Sequence, residues 1–158
     1  MKPTVPTATM FLACMLLAAC SSGPVRRVSE PGVNIQQLTV RADGRWSVDV
    51  RIDNFSNVPM RFDRVSLAMT VGGESAGTLQ GQPGLTIGPE AADVATLTLA
   101  PAPAARIVVA DALARSGGVP YALKGTLDAA AEDGRSHSYD VDRDNTLSPV
   151  PGLPGVLR

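Results

Sequence analysis

The chain has 158 residues, 14 basic and 15 acidic side chains, a formal net charge of -1, and 44% hydrophobic residues. That length fits one domain and that apolar share supports a core, while a near-zero charge excludes the basic stripe of a nucleic-acid binder. One His, two Cys and 4% aromatics leave little material for metal ligation, a nucleophile or a stacking platform, so no cofactor and no small-molecule substrate is indicated.

Residues 1–19 read as an export signal. Lys2 supplies a positive charge, and Met10 to Ala19 is an unbroken apolar run. A membrane-spanning helix needs about 20 apolar residues, whereas a signal peptide needs about 7–15. The run ends in Leu17-Ala18-Ala19-Cys20, followed by Ser21-Ser22-Gly23. This resembles the lipobox of bacterial lipoproteins, which implies acylation of Cys20, with palmitate-type chains, and cleavage before it. The alternative is an ordinary secretory signal with two coincidental cysteines. Removal of residues 1–19 leaves 139 residues with 13 basic and 15 acidic side chains, no free thiol and no disulfide. Two or three acyl chains anchor stably, since each buried CH₂ contributes about 0.8 kcal/mol. Ser21 stands where Asp is the enterobacterial inner-membrane retention signal. The lipoprotein resemblance therefore implies the periplasmic face of the outer membrane.

Residues 20–32 read as the lipidated N-terminus and a flexible tether: Ser21 to Gly32 is small, polar and proline-containing, with no apolar period. Arg26-Arg27 is a solvated pair or a contact to anionic headgroups.

The domain is expected over 33–145. Val33 to Arg41 alternates loosely as a first strand, and Asp43-Gly44 signals a hairpin. Trp46 to Asn54 alternates without a fault, placing Trp46, Val48, Val50 and Ile52 on one face and Ser47, Asp49, Arg51 and Asp53 on the other. Phe55 to Pro59 breaks the pattern. Met60 and Phe62 begin a strand that continues on Val65, Leu67, Met69 and Val71, so parity slips and a bulge is expected near Asp63-Arg64. Gly72-Gly73 turns the chain into Ala76 to Gln80, and a brief apolar step at Leu85 and Ile87 precedes the strand Ala92 to Leu99.

Between Ala104 and Ser116, Ala105, Val108, Val109, Ala112 and Leu113 form one helical stripe. Asp111 and Arg115 make an i,i+4 pair, and Gly117-Gly118 is expected to end the helix. Val119 to Asp128 alternates again, and a turn at Glu132-Asp133-Gly134 leads back through His137, Tyr139 and Val141. Residues 146–158 are a Pro/Gly-rich tail that cannot join a central strand. About seven short strands with frequent turns predict an all-β, fibronectin-III/immunoglobulin-like antiparallel β-sandwich with one short helix.

Ile52-Asp53-Asn54, Val58-Pro59-Met60, Val65 to Gly73, Gly77 to Gly81, Val94 to Leu99 and Val119 to Gly125 together resemble the late embryogenesis abundant type 2 family, including its water-stress and hypersensitive-response domain. The likeness spans about Val33 to Val141 and consists of turn and strand patterns without a catalytic signature. Where many members carry Asn-Pro-Asn, this chain has Asn54-Phe55-Ser56-Asn57, with its proline displaced to Pro59. The resemblance implies a single sandwich linked to desiccation, cold or osmotic stress.

Candidate chemistry is weak. Asp140, Asp142 and Asp144 have the spacing of a calcium-loop start, but an EF-hand requires Gly at Asn145 and Glu at Pro151. His137 lies between Ser136 and Ser138 with Asp140 close by, yet residues strung along one strand do not make a triad. Gly72-Gly73 and Gly81 to Gly84 lack a P-loop's lysine and helix, and Trp46 reads as a core anchor. The expectation is a non-enzymatic lipoprotein held by membrane lipid through acylated Cys20. The alternative is an interaction module whose sheet edge receives a strand from an envelope partner.

Overall fold

The computed structural model describes residues 23, 25–132 and 134–158. The export signal and Cys20 lie outside the described residues. The strands are β1 (Gly32–Val40), β2 (Trp46–Asn54), β3 (Met60–Val71), β4 (Glu74–Gly81), β5 (Leu85–Ile87), β6 (Ala91–Leu99), β7 (Val119–Ala131), β8 (His137–Leu147) and β9 (Val156–Leu157). One helix, α1 (Pro103–Arg115), joins β6 to β7. All pairings are antiparallel. One sheet runs β6-β2-β1-β9; the other runs β4-β3-β7-β8, with β5 beside the start of β3. The protein is an all-β sandwich. Among the described residues it has one short helix and nine strands rather than about seven, and β5 and β9 are the shortest.

The period-two pattern explains the packing. Trp46, Val48, Val50 and Ile52 of β2 face Phe62, Val65, Leu67 and Met69 of β3 and Leu123 and Leu127 of β7 within one buried core. In the β3–β7 pairing the register shifts between Phe62 and Arg64, and Asp63 has no partner. The extra residue restores Val65 to the inner face, as the parity slip requires. At Gly125 the β3 backbone passes so close that an added Cβ would lie 2.0 Å from the Ser66 carbonyl oxygen. Only glycine fits there.

A second irregularity, between Ile35 and Gln37 of β1, coincides with a bond between the sheets. The Ile35 N–H donates to the buried Tyr121 hydroxyl of β7 at 3.1 Å. Burial raises the Tyr121 pKa, and the Ile35 N–H, which favours the phenolate, partly offsets that. Tyr121→Phe should cost about 1–2 kcal/mol in urea unfolding, because it orphans a buried N–H. In the wild type the Tyr121 contribution is complete below the unfolded tyrosine pKa of about 10. It is lost as pH rises further, because the unfolded chain ionises first. Tyr121→Phe should therefore flatten the alkaline limb of the stability curve.

At one end of the sandwich, Gly72 and Gly73 turn with φ of 58° and 86°, the left-handed pair of a two-residue hairpin. Helix α1 packs there, and an added Cβ at Gly72 would meet Val108 at 2.6 Å. Ala105, Val109 and Ala112 are its buried residues, with Val108 and Leu113 part-buried beside them. Pro103 occupies its first turn, and Arg115 pairs with Asp111 in its last. The helix does not stop on glycine: Ser116 takes the left-handed position at φ 54°, and the Gly117 N–H donates to the Ala112 carbonyl at 3.0 Å. Ser116→Gly should relieve this strain by about 1 kcal/mol and raise Tm by about 4 °C in calorimetry.

The C-terminal tail turns back onto the body. β9 pairs with Leu38 and Thr39 on the outer edge of β1, and Leu157 is fully buried. The proline-rich stretch stays out of the central strands, as its missing N–H groups demand, but its last residues close an edge. β8 also runs past residue 145, to the buried Leu147.

Candidate functional site

The end of the sandwich opposite α1 gathers the N-terminal segment 25–31, residues 55–59 between β2 and β3, residues 88–90 between β5 and β6, and residues 132 and 134–136 between β7 and β8. Strand register places them together: Gly32 lies opposite Asp53, Asn54 opposite Ala91, Met60 opposite both Ile87 and Ala131, and Ala129 opposite His137.

Buried polar side chains hold this end. Asn54 ends β2, where apolar alternation stops, and its side chain is buried with every polar atom used. Its amide nitrogen donates to the carbonyls of Val58 (2.9 Å), Ile87 (3.1 Å) and Gly88 (2.8 Å), and its Oδ1 accepts the Ser56 N–H at 2.9 Å. Ser56 is fully buried; its Oγ accepts the Ser29 N–H at 3.0 Å and donates to the Ser29 carbonyl at 3.4 Å. Asn57 grips the segment in the manner of a neighbouring strand. Its Oδ1 accepts the Arg27 N–H at 2.7 Å, its Nδ2 donates to the Val25 carbonyl at 2.7 Å, and its backbone N–H donates to the Arg27 carbonyl at 3.2 Å. Arg27 also reaches Glu90 at 3.2 Å, an exposed ion pair of small energetic value.

The segment expected to be a loose tether is therefore bound to the domain from Val25 onward. Of Arg26-Arg27, the second is tied by its backbone to Asn57 and by its guanidinium to Glu90. In the sequence, Asn54 and Asn57 stand out only through the family-like pattern. The available signal was two asparagines and a serine closing an apolar strand, residues that commonly satisfy backbone groups at chain reversals.

The other candidates are not brought together. Asp140, Asp142 and Asp144 lie along β8, opposite Thr126, Lys124 and Ala122. Alternate strand residues stand about 6–7 Å apart, so the carboxylates do not converge on a shared ion. Lys124 pairs with Asp142 at 3.3 Å. Among the described residues, no three His, Cys, Asp or Glu side chains gather to hold a metal. His137 is exposed at the start of β8, 6.5 Å from the Tyr139 ring, with no bond to Asp140. Trp46 is buried in the core, Gly72-Gly73 form the hairpin turn, and Gly84 is also a turn residue at φ 58°. A shallow, solvent-open depression on the outer face of the β4–β8 sheet is lined by Arg64, Ser66, Gln80, Gln82, Thr126 and Asp128.

No family model matches the chain, and no curated protein does. Solved structures do. A crystal structure of a protein from Archaeoglobus fulgidus is 11% identical, covers 78% of this chain and 98% of its own, and has a TM-score of 0.46. The solution structure of AT1g01470 from Arabidopsis thaliana is 11% identical, covers 80% of this chain and 82% of its own, and has a TM-score of 0.49. The X-ray structure of the structural-genomics target SoR45 is 14% identical, covers 80% of this chain and 92% of its own, with a TM-score of 0.46.

Proposed function

We propose that this chain is a lipid-anchored, non-enzymatic envelope lipoprotein of the late embryogenesis abundant type 2 kind, acting through its surface during drying or osmotic shock. The observation that carries the reading is Leu17-Ala18-Ala19-Cys20 at the end of a short apolar run, followed by small polar residues. The family-like order of strands and turns supports the stress assignment. The scattered His137 and Asp140 to Asp144 side chains support a role without catalysis.

The anchoring test is direct. In a bacterial host, the full chain should take up a clickable palmitate analogue and sediment with outer-membrane vesicles. Cys20→Ala should abolish labelling. Labelling of Cys20→Ala equal to that of the wild type would refute the anchor. For the stress role, a deletion strain should survive drying less well than its parent, and equal survival would refute it.

A second reading, an accessory subunit of an envelope complex, is favoured by β8. This strand has 11 residues and, among the described residues, borders only β7 in its sheet, so one row of its N–H and C=O groups has no strand partner there. Its charges, Asp140, Asp142, Arg143 and Asp144, are of the kind that guard an edge against indiscriminate pairing. Crosslinking through β8 should recover a discrete partner under this reading, and recovery at background level would remove it.

A further inference from the structure

We propose that the sandwich stands on its own bilayer by the Asn54–Asn57 end, with Phe55, Val25 and Val28 seated at the headgroup–acyl boundary. The proposal rests on the reading of Cys20 as acylated and adds an orientation and a contact surface. Asn57 and Ser56 bind the segment from Val25 to Ser29, so the free leash is not the whole run from Cys20 to Gly32. Only four residues lie between Cys20 and Val25, and the five steps from one to the other reach at most about 18 Å. A 12-residue leash would reach about 40 Å and leave the domain free to tumble. The short leash keeps the clamped end near the lipid. The far end, with α1 and the hairpin turns, is about 30 Å away along the nine residues of β2.

The surface presented by the near end suits that position. Among the described residues, five large apolar side chains are exposed, and three of them are here: Val25 (80%), Phe55 (53%) and Val28 (46%). The Phe55 ring lies on Gly32, where an added Cβ would stand 3.0 Å from Cε2. It is thus supported from below while still half-exposed. The other two, Ile107 and Leu153, belong to α1 and the tail at the far end. Charges at this end are mixed: Arg26, Arg27, Arg61 and Arg135 stand with Glu30, Asp63, Glu90 and Glu132, and among them Arg27 pairs with Glu90 and Arg61 with Asp63. Of the two contributions to interfacial binding, buried apolar area and attraction to anionic lipid, the balanced charge leaves the apolar one to set the contact.

The test uses the acylated full-length lipoprotein in phosphatidylethanolamine/phosphatidylglycerol vesicles. Trp46, the one native tryptophan, is buried and gives a constant background. Phe55→Trp should add emission that shifts to the blue on reconstitution and is lost when the lipid chains are brominated. Ile107→Trp should show neither effect. The Phe55→Trp quenching should survive about 1 M salt, where the screening length falls to about 3 Å. A Phe55→Trp chain that floats with the vesicles while its added indole emits as in water would overturn the docking and leave the anchor standing. Quenching abolished by salt would also overturn it, because charge would then hold the contact. A chain that does not float would instead fail the acylation reading itself.

Discussion

Ile52→Asp should unfold the sandwich, whereas Asp53→Asn, one residue away, should leave the urea midpoint nearly unchanged. Ile52 lies fully buried near the end of β2, between Val33 of β1 and Asp93 of β6. Removing its side chain forfeits about 2–5 kcal/mol of packing, and an unpaired carboxylate in that place adds several kcal/mol. A domain of this size is stable by about 5–15 kcal/mol in total, so most or all of that margin is lost. Asp53 faces the other way and pairs with Arg51 at 2.8 Å on the outer face. Such a pair contributes about 0–1 kcal/mol, and asparagine still accepts a hydrogen bond there. The measurement is urea unfolding followed by Trp46 emission. Equal midpoints for the two variants would mean that β2 presents the opposite face to the core.

This contrast was legible in the sequence because β2 obeys a strict period of two, and a faultless alternation has one reading. The bulge at Asp63 was legible for the same reason, since a change of parity within a continuous apolar set needs an extra residue. Helix α1 showed through its stripe, but its end did not. The glycine rule pointed to Gly117-Gly118, yet hydrogen bonding places the left-handed residue one position earlier, at Ser116. The end of β8 and all of β9 were hidden for a different reason. Edge strands wet on both faces carry charges where a central strand carries apolar residues, as at Asp142 to Asn145. Leu157 is buried only because Leu38, far away in sequence, lies opposite it, and a two-residue strand has no period to detect.

The clamped end illustrates the same limit. Val25 to Ser29 has the composition of a linker, and nothing within the segment orders it. Its order comes from Ser56 and Asn57, about 30 residues downstream, through bonds from side chains to backbone. Their residue types signal backbone capping at a chain reversal, but nothing local in the sequence says which distant segment they hold. Under the proposed acylation of Cys20, this clamp leaves a few residues rather than a dozen between anchor and domain, which is what the proposed orientation requires.

Asn54→Asp should destabilise the protein by about 3–5 kcal/mol at neutral pH, and most of that loss should disappear near pH 4. The substitution is nearly isosteric but removes both amide protons, leaving the carbonyls of Val58, Ile87 and Gly88 without their donor. An ionised carboxylate would face those three oxygens in a buried site, so its folded-state pKa would rise well above that of the unfolded chain. The penalty from ionisation is then absent below the unfolded value of about 3.9 and grows by about 1.4 kcal/mol per pH unit above it. Growth stops once the folded group itself ionises. In its protonated form the introduced carboxyl also restores one donor. Asn54→Ala provides the control, with a loss of similar size at neutral pH that does not change between pH 4 and 7. Both variants should expose the Arg26-Arg27 backbone to trypsin, because Asn54 fixes the Ser56 N–H and with it the loop that grips Val25 to Ser29. A pH-independent cost for Asn54→Asp, or trypsin resistance equal to the wild type, would show that this end is held by something other than the asparagine.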